Sequence, residues 1–290
     1  MAQSMQDIKR RVKSVTSIEH ITNAMKLVSA AKLRRAKATF EESRQYFHLV
    51  TESIEDLFVN HAGDIPSKYI NGIPDASGTC YVIVTSNRGL AGSFNANVIK
   101  RAEEEFLRGD DRADSCIISI GSKGRDYCSK RGYEILKDYS RPPESIRFRE
   151  TRDISRPIIQ LYDKGEIRRV MLVYTHFVST LEQRATAVQL LPFEVELGPE
   201  VTPHEKYMEY DPSPEELLNY LVPKYVEIMV YAAIVESATC EHAARRMAME
   251  NATDNAQAMI SDLQLFYNRA RQAAITREIT EIVSGAEALD

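Results

Sequence analysis

Glycine and proline are almost absent from the two ends of this chain. All eleven prolines and eleven of the twelve glycines lie between Gly63 and Pro223; the first 62 residues contain neither, and after Lys224 only Gly285 remains. Ordinary helices average about 11 to 12 residues and need frequent breakers between them. Two long unbroken segments of about 55 and 70 residues are therefore expected to be two helices, roughly 80 and 105 Å long at the usual helical rise. A helix of that length cannot fold into a ball, so its apolar stripe needs another element to cover it.

The apolar spacing agrees. In the first segment Ile8, Val12, Val15, Ile18, Ile21, Met25 and Val28 recur at steps of three and four. After a slip near Lys32 the set Ala36, Phe40, Ser43, Phe47, Val50, Ile54 and Leu57 carries the alternation on, as in a helical seam with a stutter. In the last segment Leu217, Leu221, Ile228, Tyr231, Val235, Ala238, Met249, Ala252, Ala256, Met259, Leu263, Phe266, Ala270 and Ala273 fit one heptad frame, interrupted by Lys224, His242 and Arg245. Both segments leave one central region, so each is the nearest partner for the other, and an antiparallel coiled coil is expected. The C-terminal helix should overhang its partner, with small residues such as Ala252, Ala256, Ala270 and Ala273 along its later part.

Between the helices, the runs 79–85 (TCYVIVT), 115–120 (SCIISI) and 169–175 (RVMLVYT) are short, apolar and β-branched, as buried parallel strands are. Residues 184–191 form a fourth, more alternating strand, and helices are expected near 95–107, 123–131 and 154–162. Asp211 to Pro214 closes this region, with Ser213 as N-cap and Pro214 at the first helical position. The expected fold class is α/β: a long antiparallel coiled coil of N- and C-terminal helices plus a small Rossmann-like α/β domain. Its divisions are residues 1–62, 63–211 and 212–290, the last helix packing with the first.

Enzymatic signals are weak throughout. Val82 to Asn95 (VIVTSNRGLAGSFN) has the strand, glycine turn and helix of a phosphate loop, but Gly89 and Gly92 match neither the dinucleotide nor the Walker spacing, and no lysine stands at the phosphate position. The bland alternative is a turn whose glycines permit tight strand-to-helix packing. Gly121 to Gly124 (GSKG) is similar. The six histidines are scattered, and Cys240, Glu241 and His242 point to different faces of one helix, a solvated surface being expected there. Glu103, Glu104 and Glu105 read as an exposed charge run. The four cysteines, Cys80, Cys116, Cys128 and Cys240, form no Cys-x-x-Cys pair and read as buried thiols of a reducing compartment. No catalytic residue, cofactor site or metal site is assigned. No apolar run reaches the length of a membrane span and the N-terminus lacks an apolar signal core, so any membrane association is expected through partners.

The first helix is basic although the whole chain carries a net charge of -5: up to residue 40, Lys9, Arg10, Arg11, Lys13, Lys26, Lys32, Arg34, Arg35 and Lys37 stand against Asp7 and Glu19. Nucleic acid is one partner for such a helix, but the aromatic interleaving of strand-binding surfaces is missing. An acidic protein surface is the other. A nucleotide-binding α/β protein and a nucleic-acid-binding coiled coil remain the competing functions.

Three segments resemble the γ subunit of F-type ATP synthases: Ile21 to Lys32 (ITNAMKLVSAAK) with Leu33, Arg34 and Arg35; Ser86 to Asn95 (SNRGLAGSFN), where Asn87 replaces the family's usual Asp; and the C-terminal block. That block comprises 246–255 (RMAMENATDN), 268–272 (NRARQ), Ile275 to Glu278 (ITRE), Glu281, Gly285 and Ala286. The resemblance implies a non-catalytic rotor shaft, its helices inside a hexameric ring of α and β subunits, its foot on the c-ring beside the ε subunit, with no nucleic acid and with membrane contact only through the c-ring. It implies that Met25 and Lys26 pass the acidic lever loops of β, that Arg271 and Gln272 meet the catch loop of β, and that Arg246, Thr276, Glu278, Thr280 and Val283 serve coupling. The cysteine-bearing regulatory insertion of the chloroplast form is not seen, and the start of the chain favours a bacterial protein at the cytoplasmic face of the cell membrane.

Overall fold

The computed structural model describes residues 5–61, 68–108, 115–193 and 214–287. Helix α1 (Met5–His61) has 57 residues and α6 (Pro214–Glu287) has 74. Both therefore match the unbroken stretches of the sequence, while the proposed Ser213 cap lies outside the described residues. Between them come α2 (Lys68–Asn71), β1 (Thr79–Val84), α3 (Phe94–Arg108), β2 (Cys116–Ile120), α4 (Ser122–Lys130), β3 (Ile135–Tyr139), a 3-10 turn at Pro143–Ser145, α5 (Phe148–Asp163), β4 (Arg169–Phe177) and β5 (Gln183–Leu191). The chain divides into two compact units, one holding α1 up to Ala30 with α6 from Arg245, the other Ala31–Ala244.

The larger unit is built on a five-stranded sheet in the order β3-β2-β1-β4-β5. The first three neighbour pairs are parallel and β5 returns antiparallel along β4. Strand β3 is absent from the sequence expectations. Its residues, Ile-Leu-Lys-Asp-Tyr, expose the middle three, as an edge strand can, so no apolar run announces it.

Both faces of the sheet are covered, and so all six residues of β1 are buried. On one face Cys80, Val82, Val84, Ile118, Ile120 and Leu172 pack against Ile154, Ile158 and Tyr162 of α5 and Val222, Val226, Val230 and Ile234 of α6. On the other, Tyr81, Ile83, Ile117 and Val173 meet Val98, Ala102 and Phe106 of α3 and Cys128 of α4. Each such side chain contributes about 1.5–3 kcal/mol relative to exposure. The first half of α6 is thus a layer of this domain as well as a terminal helix.

Helix α6 also completes the sheet's hydrogen bonding. Pairing with β1 stops at Val173, and beyond it Ser237 Oγ accepts from Thr175 N at 3.2 Å and Glu236 Oε1 from Phe177 N at 2.8 Å. Otherwise these donors, buried at Thr175 and half-buried at Phe177, would lose their partner in the chain. Glu236 also lies 2.7 Å from His176 Nδ1. Burial nevertheless dominates and raises its pKa, with the Phe177 N–H and His176 pulling the other way. On α6's side toward α1, Tyr231 meets Phe47 edge-on, ring centroids 6.1 Å apart.

This double packing corrects one expectation. Cys240, Glu241 and His242 are buried, not solvated, because this stretch of α6 is covered on more than one face. His242 Nε2 lies 3.9 Å from Glu144 Oε2, whose other oxygen takes a 2.8 Å contact from Lys32 Nζ on α1. The glutamate run is likewise not freely exposed: Glu105 is buried under Arg101 and Arg108, and Glu103 accepts from Arg131 and from the Tyr127 hydroxyl.

Candidate functional site

The two glycine turns show how the phosphate-loop resemblance is used structurally. A Cβ at Gly89 or Gly92 would meet nothing within 4 Å, so tight packing is not the reason for those glycines. The close approach is at Gly121, where φ is +96° and an added Cβ would stand 2.1 Å from Thr85 O. At the start of α4, Ser122 N bonds Asn87 Oδ1 at 2.7 Å, Lys123 N bonds Ser86 O at 3.1 Å and Gly124 N bonds Thr85 Oγ1 at 2.8 Å. A phosphate would need those same N–H groups, and they are already occupied by the chain. Asn87 Nδ2 donates to Ser140 O at 2.7 Å as well, a bond that a carboxylate in its place could not make.

The other candidate surface is the helical unit. Here α1 and α6 run antiparallel: Thr22 meets Thr253, and Glu19, three residues back, meets Gln257, four residues forward. Ile8, Val12, Val15, Glu19, Thr22, Lys26 and Ser29 form a buried and half-buried stripe of α1, a regular alternation of four and three. They face Met249, Thr253, Ala256, Ile260, Leu263, Tyr267 and Ala270, which repeat in the same way.

This seam differs from the one expected. The apolar residues Ile18, Ile21 and Val28 are exposed, as are Met259 and Phe266 on α6. The real seam keeps its heptad by passing through polar residues, while the apolar ones step off it by one position and turn outward. The slip therefore comes at Ile18 on α1, before Lys32.

The implied site residues do not form one cluster. Met25 and Lys26 are half-buried, Lys26 in the seam and Met25 next to it in sequence, and Lys26 has no ion pair among the described residues. Seven residues along each helix from the Thr22–Thr253 pair, Arg246 falls opposite Ser29. Arg246 is half-buried, and its Nε is enclosed without a hydrogen-bond partner among the described residues. Arg271, Gln272, Thr276, Glu278, Thr280 and Val283 are all exposed, spread over more than three turns of α6. The Thr276 and Thr280 hydroxyls donate back to Gln272 O and Thr276 O at 2.9 and 2.8 Å, so the helix itself satisfies them.

One further feature was not singled out from the sequence, and one that was is sharpened. From Arg271 to Ser284 every side chain of α6 is exposed, including Ile275, Ile279, Ile282 and Val283, which are 48–67% accessible. Of the nine basic residues near the start, only Arg10, Lys32 and Lys37 reach a carboxylate; Lys9, Arg11, Lys13, Lys26, Arg34 and Arg35 have none among the described residues. The apolar stripe suits an apolar partner, and the cations, unneutralised among the described residues, suit an acidic one.

Known proteins share this organisation over its full length. A family model described as ATP synthase matches residues 4–289. The ATP synthase gamma chain of Alkaliphilus metalliredigens is 48% identical over 293 residues, covering 100% of both chains. The sodium ion specific ATP synthase gamma chain of Acetobacterium woodii is 41% identical over 307 residues, again covering 100% of each. In fold, the chain is similar to one from the Euglena gracilis mitochondrial ATP synthase OSCP/F1/c-ring structure, with TM-score 0.68 and 18% identity, over 98% of this chain and 94% of that one. It is also similar to one from the central stalk and c-ring of the Tetrahymena thermophila enzyme, with TM-score 0.61 and 23% identity, over 80% and 99%. The long helices, the sheet between them and these full-length likenesses agree: the chain belongs to the ATP synthase gamma chain family.

Proposed function

We propose that this chain is the central rotor shaft of an F-type ATP synthase, transmitting torque between an ion-driven c-ring and the catalytic β subunits. The observation that carries the reading is the outward stripe of Ile275, Ile279, Ile282 and Val283 on a stretch of α6 where every side chain from Arg271 to Ser284 is exposed. Such apolar surface calls for a surrounding partner, and a ring of α and β subunits supplies one that the shaft can turn within. The terminal segments 1–62 and 212–290 form the shaft, and residues 63–211 a domain that meets ε and the c-ring.

In this reading the chain does no bond chemistry. ATP is made and hydrolysed on β, and the shaft's asymmetry sets the three β sites to different affinities. Met25 and Lys26 pass the lever loops, where the cations of α1 that reach no carboxylate among the described residues attract acidic side chains without a permanent bond. Arg271 and Gln272 offer exposed N–H donors to the catch loop. Arg246, Thr276, Glu278, Thr280 and Val283 act in coupling along the same helix. In the same reading the chain is a peripheral subunit held at the cytoplasmic face of a bacterial membrane through the c-ring; no helix among the described residues is long and apolar enough to cross a membrane.

The test is assembly. Expressed with its α and β subunits, the chain is expected to co-purify as one copy per six-membered ring, with ATPase activity. Elution apart from an assembled ring would overturn the proposal.

A further inference from the structure

Four cysteines scattered along the sequence give no pairing signal, yet the sheet brings two of them together. Cys80 on β1 and Cys116 on β2 are direct partners in the parallel register. Partners in register project to the same face, and both side chains pack in the same core cluster. Neighbouring strands lie about 4.8 Å apart, inside the Cα separation of about 4.4–6.8 Å that a disulfide spans. Cys116 is half-buried at the start of its strand and Cys80 is fully buried behind it. The two thiols also interact. The neighbouring Cys80 thiol favours the Cys116 thiolate and lowers its pKa, against burial and Glu134. The same pairing, with burial, raises the pKa of Cys80. Cys128 and Cys240 contrast with this pair: burial is the main force raising each, Cys128 to about 11, and no second cysteine lies beside either.

We infer that Cys80 and Cys116 form an oxidisable dithiol in which Cys116 is the residue attacked by a peroxide and Cys80 resolves the product. The Cys116 thiolate attacks one oxygen of hydrogen peroxide; the O–O bond breaks, sulfur is oxidised to the sulfenic acid, and the released hydroxide takes a proton to leave as water. The Cys80 sulfur then attacks the Cys116 sulfur, the S–O bond breaks, and the Cys80 proton leaves with the hydroxyl as a second water. The product is one intrachain disulfide, and the two electrons have gone to the peroxide. A reactive, partly accessible cysteine with a resolving neighbour is the usual arrangement of thiols that oxidise reversibly.

The experiment uses the full chain, reduced and then treated with hydrogen peroxide. Intact mass is expected to fall by two hydrogens, the free thiols to drop from four to two, and a peptide map to join the segments carrying Cys80 and Cys116. Cys80→Ser should leave a Cys116 sulfenic acid that dimedone traps. Cys116→Ser should slow thiol loss about tenfold or more, and Cys128→Ser should leave both rate and product unchanged. Persistence of four thiols, a link between chains, loss at Cys128 or Cys240, or oxidation of Cys116 to the sulfinic acid with Cys80 intact would each overturn the inference. None of these outcomes bears on assembly with α and β, so the two proposals fail separately.

Discussion

Thr22 and Thr253 face one another across the antiparallel helices with their hydroxyl oxygens 2.9 Å apart, 9% and 2% accessible. Each also reaches its own helix, at Glu19 O (3.0 Å) and Met249 O (2.8 Å). This polar pair occupies a place where a coiled coil ordinarily puts aliphatic residues, and it fixes which residues of the two helices are opposite. Either single Thr→Val change should cost about 0.5–1 kcal/mol, because it removes the bond between the hydroxyls while the remaining one keeps its own helix carbonyl. The double Thr22→Val/Thr253→Val change should return close to the original stability. Denaturant unfolding of the four chains measures the coupling.

Gly121 joins β2 to α4 against Thr85, just past the end of β1. Gly121→Ala places a methyl against Thr85 O and forces φ of +96°, so a loss of about 3 kcal/mol or more is expected in urea unfolding. Gly89→Ala meets open space and should change stability by less than about 0.5 kcal/mol.

Asn87 accepts from Ser122 N and donates to Ser140 O. Asn87→Asp keeps the first bond, adds a favourable charge at the N-terminus of α4 and loses the second bond. The net loss should stay within about 1 kcal/mol. Asn87→Leu loses both and should cost about 2 kcal/mol or more by the same unfolding measurement.

Glu144 gives the larger unit an acid-sensitive contact. Its burial would raise the carboxyl pKa, but the Lys32 hydrogen bond and the charges of His242 and Lys32 outweigh it, and the pKa is lowered. The unfolded chain therefore takes up the proton first. The contribution is complete above the unfolded carboxylate pKa of about 4.3 and is lost as pH falls through the lower folded value. Glu144→Gln should lower stability at neutral pH by about 0.5–1 kcal/mol, and the difference from the parent should shrink below about pH 4 in unfolding curves taken across pH.

Much of this architecture was legible because it is written in absences and runs. The missing breakers marked α1 and α6, and uninterrupted apolar runs marked β1, β2 and β4. What escaped depends on neighbours distant in sequence. Strand β3 is half polar because one edge and much of its surface meet solvent. The seam was misphased because Glu19, Thr22, Lys26 and Ser29 hold core positions while Ile18, Ile21 and Val28 face outward, so hydrophobicity pointed to the wrong side. His242 looked solvated because its cover, Glu144, lies about a hundred residues away. Nor could spacing alone reveal that Cys80 and Cys116 would become strand partners. Ile18, Ile21 and Val28, which misled the packing assignment, add outward apolar surface that suits a surrounding partner.

Rotation tests the central claim most directly. With the chain assembled with its α and β subunits and the ring immobilised, a bead attached to the α/β domain between β1 and β5 should turn in one direction on addition of ATP. It should stop when the shaft is cross-linked to β near Arg271. ATP hydrolysis at full rate with a stationary bead, or undiminished by that cross-link, would contradict the account.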